Sequence, residues 1–312
     1  MTTMQAPRPT QRARESRLDD DVVPLHLYGL RRGTTTLVTA IAVLFALFIL
    51  APLVWLVINA TKTQANVYQT FGFWFARPFK LFENFSALFK NASGAGVYAK
   101  WLANTAVYAV AGGVGATALS AFAGYGFARY SFRGSKAMFY LVMSTLLVPI
   151  TAVALPLYLV YAKVHLINSI WGMVLPSMVA PVGVYLMRTY IDATVPRELI
   201  EAARIDGASE IGVFFKVALP LMVPGLVTVL LLSVVAVWNN YFLPLIIFSR
   251  NSSYPLTVGL ASLSHAAETG SKAQLVPVLI AGGLVTIAPL ILLFFLLEKY
   301  FRRGALQGSL TG

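Results

Sequence analysis

Six long apolar stretches constrain this chain more than any other feature, because their interiors hold almost no formal charge. A helix needs about 20 predominantly apolar residues to cross the hydrocarbon core of a bilayer. A spanning segment must also satisfy its backbone groups internally, which favours helices over loops. The sequence therefore predicts an all-α membrane protein with six transmembrane helices. The predicted spans are Leu37–Ile58, Asn104–Ala128, Ala137–Tyr161, Ser169–Met187, Leu221–Phe248 and Leu275–Leu297.

The overall composition agrees with a membrane protein and excludes most soluble functions. Hydrophobic residues make up 58% of the 312 residues and charged residues only 12%, whereas a soluble domain is about half apolar and a quarter charged. The sequence has no cysteine, which excludes disulfides, thiolate zinc sites and cysteine nucleophiles. His26, His165 and His265 are far apart in the sequence, so no metal site is expected.

The net charge of +12 raises the question of nucleic-acid binding. The basic residues lie at the ends of the apolar stretches, however, and this pattern predicts membrane orientation instead. Sixteen of the 24 Lys and Arg residues fall in the two terminal tails and in the loops after the second and fourth spans. Because cytoplasmic segments carry an excess of Lys and Arg, both termini are predicted to be cytoplasmic. We expect membrane lipid as a partner and no nucleic acid.

This arrangement divides the chain into three regions. Residues 1–35 are predicted to form a disordered cytoplasmic tail, residues 36–299 the transmembrane domain, and residues 300–312 a cytoplasmic C-terminal tail. The first span follows 36 polar residues and is 22 residues long. It is therefore predicted to be an uncleaved anchor and not a signal peptide.

Two spans carry patterns that suggest specific contacts. The second span has a small residue at every fourth position from Gly112 to Ala128, and such a face allows another helix to approach closely. It is either a packing seam, within the protein or with a partner, or the ordinary abundance of Gly and Ala in membrane helices. Paired amides in the fifth span are expected to face protein or water, so they line a solute pathway or bond across helices. The candidate pathway residues are Trp238, Asn239, Asn240 and Tyr241.

Two kinds of functional group are missing from the sequence. No span carries a charged residue near its centre, although ion-coupled carriers often use such groups. No Walker A pattern, GxxxxGK followed by Ser or Thr, occurs in the chain, so ATP binding of that kind is not expected. We therefore predict a transporter subunit and not an enzyme, with no catalytic residue and no bound cofactor. Energy for uphill transport would come from another chain.

The stretch between the fourth and fifth spans, residues 195–220, is the most informative segment. Its beginning is typical of a helix in which Glu201 is spaced for surface pairing with Arg197 and Arg204. Asp206-Gly207 predicts a turn that ends this helix, and a second short helix then leads into the fifth span. Physical reasoning alone predicts a bent amphipathic unit at the membrane surface, which is either a docking element or an interfacial helix.

The same stretch resembles the EAA motif of permeases of ATP-binding-cassette (ABC) importers. It reads Glu201-Ala202-Ala203, three residues, Gly207, nine residues, Val217, one residue and Leu219-Pro220, and the family usually has Ile at the position of Val217. The resemblance implies a coupling helix that inserts into a groove of a cytoplasmic ATPase. Glu201 would make a charged contact there, the alanines would allow close seating, and Gly207 would permit the bend. The implied coupling residues are Glu201, Ala202, Ala203, Arg204, Asp206, Gly207, Leu219 and Pro220.

The resemblance extends over nearly the whole chain after about residue 35 and is closest to carbohydrate-importer permeases of the maltose-transporter type. It implies a type I ABC-importer permease fold in a prokaryotic inner membrane, forming half of the pathway for a sugar or oligosaccharide. The segments that carry it are Ala123–Arg129, Phe132–Gly134, Val148–Pro149, Leu155–Tyr158, Trp238–Leu245 and Tyr300–Gly304.

The resemblance also implies a set of partners. These are a homologous second permease, two cytoplasmic ABC ATPase subunits that use ATP and magnesium, an extracytoplasmic solute-binding protein and the sugar itself. Permeases for glycerol phosphate, polyamines or amino acids share the loop and remain alternatives. A secondary transporter is disfavoured because the sequence offers neither inverted repeats nor a coupling-ion site.

Overall fold

The computed structural model describes residues 32–90, 97–269 and 275–308, with side chains described between 35 and 300 within those ranges. The chain divides into two compact units at Trp55–Leu56, and the helix packing, the cavities and the loop described below belong to the second unit. Most of the predicted N-terminal tail and the last four residues lie outside the described residues. The α-helices are α1 Arg32–Ala60, α2 Gln64–Gln69, α3 Leu81–Lys90, α4 Val97–Arg129, α5 Ser135–Ser144, α6 Ala154–Lys163, α7 Ile170–Ser177, α8 Pro181–Thr194, α9 Arg197–Ile205, α10 Glu210–Val213, α11 Leu219–Trp238, α12 Phe242–Ile247, α13 Leu256–Glu268 and α14 Val276–Gly308.

The prediction of an all-α membrane protein is confirmed, but the six continuous spans are not. Within the described ranges, five helical segments are long and apolar enough to cross a membrane. The last helix also continues past the predicted tail boundary at residue 299, as far as Gly308. The five segments are Thr35–Ala60, Val97–Arg129, Ile170–Thr194, Glu210–Trp238 and Val276–Tyr300.

The third predicted span, Ala137–Tyr161, is wrong as a single helix. The chain instead forms α5, a short 3₁₀ turn at Thr145–Leu147, a series of turns, and then α6. Pro149 explains the break, because proline has no backbone N–H and disfavours helical conformation in the residue before it. Val148 is accordingly extended, with φ −85° and ψ 114°. The composition showed correctly that this stretch is apolar, but it carried no information on whether the helix is continuous.

The fifth predicted span, Leu221–Phe248, also differs from the structure. Its helix begins earlier, at Glu210, passes through a π-helical turn at Phe214–Ala218, and ends at Trp238. A break at residues 239–241 separates it from α12. The prediction that a short helical segment after Gly207 leads directly into this span is confirmed.

The small residues of α4 form a packing seam within this chain. Two glycines of α4 show which residues it packs against. A Cβ atom added at Gly112 would lie 2.8 Å from Ser177, and one added at Gly124 would lie 2.6 Å from Met187. The later residue of α4 thus contacts the later residue of the α7–α8 segment, so α4 runs parallel to α7 and α8. Because neighbouring parallel helices need a returning connection, the broken segment between Arg129 and Ser169 passes back along the full length of the pair.

The helices of the second unit have two ends that can be told apart by their residues. The end that holds residues 129–136 and 188–213 is called the EAA end. The end that holds residues 97–105 and 247–259 is called the far end. Hydrogen bonds join the members of each end, for example Tyr130 to Glu210 at the EAA end and Trp101 to Asn251 at the far end. One apolar core lies around Trp101 and Trp238. A second apolar core lies at the EAA end. Its buried members are Ala121, Tyr125, Ala128, Met187, Ile191, Val195, Ile200, Val213, Phe214, Ala218, Met222 and Val229.

Candidate coupling loop and solute pathway

The loop at the EAA end is a bent unit with defined hydrogen bonds at its turn. The helix α9 ends at Ile205 with Asp206 as its C-cap, and Gly207 follows with a positive φ of 82°. The amide of Gly207 donates to the carbonyl of Arg204 and the amide of Ala208 donates to that of Ala203, each at 3.0 Å. This pair of bonds defines a Schellman motif, in which glycine takes the left-handed position without a steric penalty. The predicted turn at Asp206-Gly207 is therefore confirmed.

A second cap starts the helix after the turn. Ser209 is extended, and its side-chain oxygen accepts a hydrogen bond from the amide of Gly212 at 3.2 Å. Such a serine cap satisfies a donor that the first helical turn leaves free. Glu210 follows in that turn, where a negative charge complements the positive end of the helix. The two caps together fix the angle between α9 and α10.

The tip of the loop presents aliphatic side chains to its surroundings. Ile205 is 85% exposed and Ile211 is 72% exposed, on either side of the turn. Leu199 is also exposed, and so are Glu201 and Ala202. Exposed aliphatic residues that lie together typically mark an interaction surface. The tip thus combines apolar contact area with small and acidic residues.

The base of the same loop is buried against the long helices. Ile200, Val213 and Phe214 belong to the core at the EAA end. The ring of Phe214 stacks on Phe122 of α4 with ring centroids 4.8 Å apart, and it meets Tyr125 edge-on at 5.1 Å. Burial of a side chain such as Ile200 stabilises the folded state by about 1.5–3 kcal/mol. The loop is therefore attached to α4 through its base while its tip stays uncovered.

The implied coupling residues do not all face the same way. Glu201, Ala202, Asp206 and Gly207 are exposed at the tip. Ala203 is half-buried and packs on the core at the EAA end, as does Leu219. Of the two alanines, only Ala202 is therefore free for contact with a partner. Pro220 is exposed in the first turn of α11.

The ion pair within the loop differs from the predicted one. The spacing predicted that Glu201 pairs with Arg197 and Arg204, but Glu201 takes part in none of the ion pairs among the described residues. Arg204 instead contacts Glu210 across the turn, with Nε 2.8 Å from Oε1 and Nη2 3.0 Å from Oε2. The prediction failed because helical spacing rules apply within one helix, whereas this pair joins two. Both side chains are substantially exposed, so water screens the pair and it contributes little to stability.

Tyr130 completes this polar cluster from the end of α4. Its hydroxyl donates a hydrogen bond to Oε2 of Glu210. Burial and the nearby carboxylate of Glu210 raise the pKa of Tyr130 to about 12. The hydroxyl is therefore protonated at neutral pH and remains a donor to Glu210.

Arg129 makes a buried contact that the sequence analysis did not predict. Its side chain is only 4% exposed, and its Nη1 donates to Oδ1 of Asp192 at 3.0 Å. Its Nη2 donates to the backbone carbonyls of Ile191 and Val195. A cation beside these carbonyls is stabilising because the C-terminal end of α8 carries a partial negative charge. The signal in the sequence was an arginine at the end of an apolar helix, which by itself does not distinguish such a buried contact from ordinary solvation.

The candidate pathway residues surround the break after α11. The side-chain amide of Asn239 donates to the carbonyl of Val235 at 2.9 Å, and Oδ1 of Asn240 accepts from the amide of Leu243 at 3.3 Å. The bond to Leu243 satisfies an amide at the start of α12, whereas the carbonyl of Val235 also accepts from the backbone amide of Asn239 at 3.1 Å. Both side-chain bonds are local to the break, and neither is the bonding across helices that the sequence left open as the alternative to a solute pathway.

The structure separates the four pathway residues. A cavity of about 440 Å³ lies between α8 and α11, and Asn240 lines it together with Ser177 and Ser233. Trp238 is 5% exposed and lines a different, apolar cavity beside α14. Asn239 and Tyr241 are exposed. The break between α7 and α8, at residues 178–180, also borders the 440 Å³ cavity. The cavity wall therefore includes residues from two helix breaks, this one and the one after α11.

These features together define a class of protein. Long apolar helices interrupted beside a cavity are typical of membrane transport proteins, and a capped loop with an exposed tip lies at one end. The chain belongs to the family of binding-protein-dependent transport system inner membrane components, which matches residues 116–307. It is thus a multi-pass inner-membrane permease subunit of an ABC importer, and ATP hydrolysis belongs to a separate component.

Two curated relatives are similar over most of their length. The arabinooligosaccharides transport system permease protein AraQ of Halalkalibacterium halodurans is 35% identical over 230 residues, which is 74% of this chain and 79% of the relative. The protein of the same name from Bacillus subtilis strain 168 is 35% identical over 231 residues, with the same shares of 74% and 79%. Both matches reach beyond two thirds of the chain and agree with the family assignment.

A solved structure shows the same fold. A chain of a bacterial ABC transporter involved in the import of the acidic polysaccharide alginate matches with a TM-score of 0.72. The match covers 95% of this chain and all of the other, at 21% sequence identity. The predicted ABC-importer permease fold is therefore confirmed.

Proposed function

We propose that this chain forms half of the translocation pathway of a carbohydrate importer and receives its energy through the loop at the EAA end. The observation that carries the proposal is the construction of that loop, with an exposed tip on a buried base. The second half of the pathway is a homologous permease, and two cytoplasmic ATPase subunits hold the loops of both. An extracytoplasmic solute-binding protein delivers the sugar at the far end.

In this proposal the tip and the base of the loop have different tasks. Ile205 and Ile211 fill a groove of the ATPase, Ala202 allows close approach, and Glu201 supplies a charged contact. The base transmits displacement because Phe214 stacks on α4 and Arg129 holds the end of α8. Closure of the ATPase pair then shifts the permease between two access states, since partner contacts favour one conformation over the other.

The 440 Å³ cavity supports a neutral, hydroxylated solute. Its polar lining residues include Ser177, Ser233 and Asn240, and none of its lining residues is charged. Hydroxyl and amide groups suit hydrogen bonding to sugar hydroxyls. A phosphoester, a polyamine or an amino acid would enter this cavity without a counter-charge, which is costly for an ion removed from water. The names of the similar proteins, which concern oligosaccharides and a polysaccharide, support the same substrate class.

The coupling role is tested by reversing one charge at the tip. Glu201→Lys in the assembled transporter, reconstituted with its binding protein, is expected to lower solute-stimulated ATP hydrolysis and uptake together. Loss of a buried interfacial charge contact costs about 2 kcal/mol or more, which corresponds to about a 30-fold weaker association. Glu268→Lys, which alters an exposed carboxylate on α13, is the matched control. Full coupling in Glu201→Lys would show that the loop is not the point of energy transfer.

The substrate class is tested separately. ATP hydrolysis by the wild-type complex is measured with neutral oligosaccharides, glycerol 3-phosphate, putrescine and amino acids in turn. We expect stimulation by an oligosaccharide alone, and an Asn240→Ala variant that needs a higher oligosaccharide concentration for the same stimulation. Stimulation by one of the charged solutes would overturn the carbohydrate assignment while leaving the permease assignment intact.

A further inference from the structure

A second polar cavity lies at the EAA end and shares no lining residue with the solute cavity. Its volume is about 630 Å³, and it lies between the end of α4, the start of α5 and the α8–α9 connection. Four basic residues line it, namely Arg129, Lys136, Arg188 and Arg197. No acidic residue belongs to its lining among the described residues. Cavities of this size, about 300–1,000 Å³, are typical of sites for small ligands.

Two of the arginines keep donors that the protein does not use. The guanidinium of Arg188 lies over the ring of Phe139, 4.1 Å from its centroid, and it takes part in no recorded hydrogen bond or ion pair in the described part of the chain. Arg129 is almost fully buried, and its Nε has no hydrogen-bond partner there although both Nη atoms are bonded. Buried donors are nearly always paired in folded proteins. The Nε of Arg129 is itself enclosed by the protein, so the unbonded guanidinium of Arg188 at the cavity wall is the group that indicates an anionic ligand.

The first turn of α5 adds further positive potential. Gly134 occupies the cap position with φ 89° and offers no side chain to the amides that follow. The helix has ten residues and begins with Ser135 and Lys136 at the wall of the cavity. The start of a helix favours negative charge, and phosphate groups are commonly bound there. Arginine guanidinium groups match the oxygens of a phosphate in geometry as well as in charge.

Part of the cavity lining is apolar. Phe127 and Phe132 line it, with their rings 6.2 Å apart. Beyond the cavity, Met138 and Leu141 on α5 are exposed. The site therefore offers a charged part for a headgroup beside an apolar surface for acyl chains. A free phosphate would use only the charged part.

We propose that this cavity binds the phosphate of an anionic phospholipid headgroup, such as that of phosphatidylglycerol. Basic pockets between membrane helices on the cytoplasmic side are known to suit such headgroups, and the Lys and Arg distribution predicts that the EAA end is cytoplasmic. The bound lipid would contact α4, α5 and α8 at once, next to the buried base of the coupling loop. The same chemistry would also accept inorganic phosphate, which the experiment separates from lipid.

The test measures retention of labelled phosphatidylglycerol by the assembled transporter. The complex is purified from vesicles of equal phosphatidylglycerol and phosphatidylcholine content, and both lipids are counted after washing in 1 M salt. At that salt concentration the Debye length is about 3 Å, so diffuse attraction to surface charges is removed. Binding of radiolabelled inorganic phosphate to the complex in pure phosphatidylcholine vesicles forms the second arm. We expect retained phosphatidylglycerol in the first arm and at most weak binding in the second.

The variants compare charges inside and outside the cavity. Arg188→Gln and Lys136→Gln are each expected to lower retention by about tenfold, as loss of a charge-assisted hydrogen bond would. Arg133→Gln removes the same charge from the same short connection, but Arg133 does not line the cavity, and retention should stay unchanged. Arg188→Lys keeps the charge and should retain more lipid than Arg188→Gln, which guards against a mere folding defect.

Three results would overturn the proposal. The first is equal loss in Arg133→Gln and Arg188→Gln, which would mean general membrane electrostatics. The second is tight phosphate binding with no preference for phosphatidylglycerol over phosphatidylcholine. The third is lipid that binds only after the ATPase subunits have been stripped away, which would make the cavity part of the subunit interface.

Discussion

Replacement of Gly207 gives the sharpest test of the loop geometry. Its φ of 82° is in the left-handed region, and an added Cβ would meet nothing within 4 Å. A substitution therefore costs conformational energy without a steric clash against the rest of the chain. For an L-residue with a side chain this cost is about 1–2 kcal/mol, with asparagine at the low end and a β-branched residue such as valine at the high end. The expected order of stability is Gly, Asn, Ala and then Val.

Hydrogen exchange converts this cost into a rate. The amide of Ala208 is protected by its bond to the carbonyl of Ala203, and it exchanges when the Schellman motif opens. A change of 1–2 kcal/mol multiplies the open fraction by about 5–30. Exchange at Ala208 should therefore accelerate by that factor in Gly207→Ala and Gly207→Val, measured by mass spectrometry on the full chain in nanodiscs.

Gly126→Ala is the control for this series. Gly126 also has nothing within 4 Å of an added Cβ, but it lies in α4 and its φ is not positive. Alanine favours a helix interior over glycine by about 1 kcal/mol, so no loosening of the loop is expected. Unchanged exchange at Ala208 in Gly207→Val would refute the reasoning, because the loop would then not depend on a left-handed residue at this position. Solute-stimulated ATP hydrolysis should fall in the same order as loop stability.

Three further predictions follow from the packing and the cavities. Gly124→Ala should destabilise the protein by about 1–3 kcal/mol in thermal unfolding, because its Cβ would lie 2.9 Å from a backbone nitrogen of α8, whereas Gly126→Ala should not. Arg129→Gln should cost about 1.5–3 kcal/mol and uncouple ATP hydrolysis from uptake; a variant with unchanged unfolding would contradict the clamp on α8. Trp238→Phe should preserve uptake while Asn240→Ala lowers it, and the reverse result would place the pathway on the other face of α11.

The sequence predicted the loop at the EAA end well because its signals are local. Asp206-Gly207 determines the predicted turn through its own backbone preferences, and the structure has this turn. The pairing of Arg204 with Glu210 was missed because the turn brings together residues of two different helices. The direction in which Ala202 and Ala203 face also depends on which side of α9 packs on α4, and no single-residue preference contains that information.

The helix breaks were harder to predict because hydropathy averages over a window. Pro149 was a visible signal for the interruption of the third stretch, but proline is tolerated in membrane helices when neighbours satisfy the freed groups. The break after Trp238 depends on Asn239 and Asn240, whose amides bond the backbone around it. Whether an amide faces a cavity or its own backbone is decided by tertiary packing. The separation of Trp238 from Asn240 could therefore be learned only from the structure.

The buried base of the coupling loop has a consequence for the construction of hybrid transporters. A graft of residues 197–215 from one permease onto another would transfer the proposed contact surface for an ATPase, but it would leave behind Phe122 and Tyr125, whose rings hold Phe214 from a different helix. Such a hybrid would recruit the foreign ATPase and hydrolyse ATP without moving sugar. Grafting the end of α4 together with the loop should restore import, so the portable unit is discontinuous in the sequence.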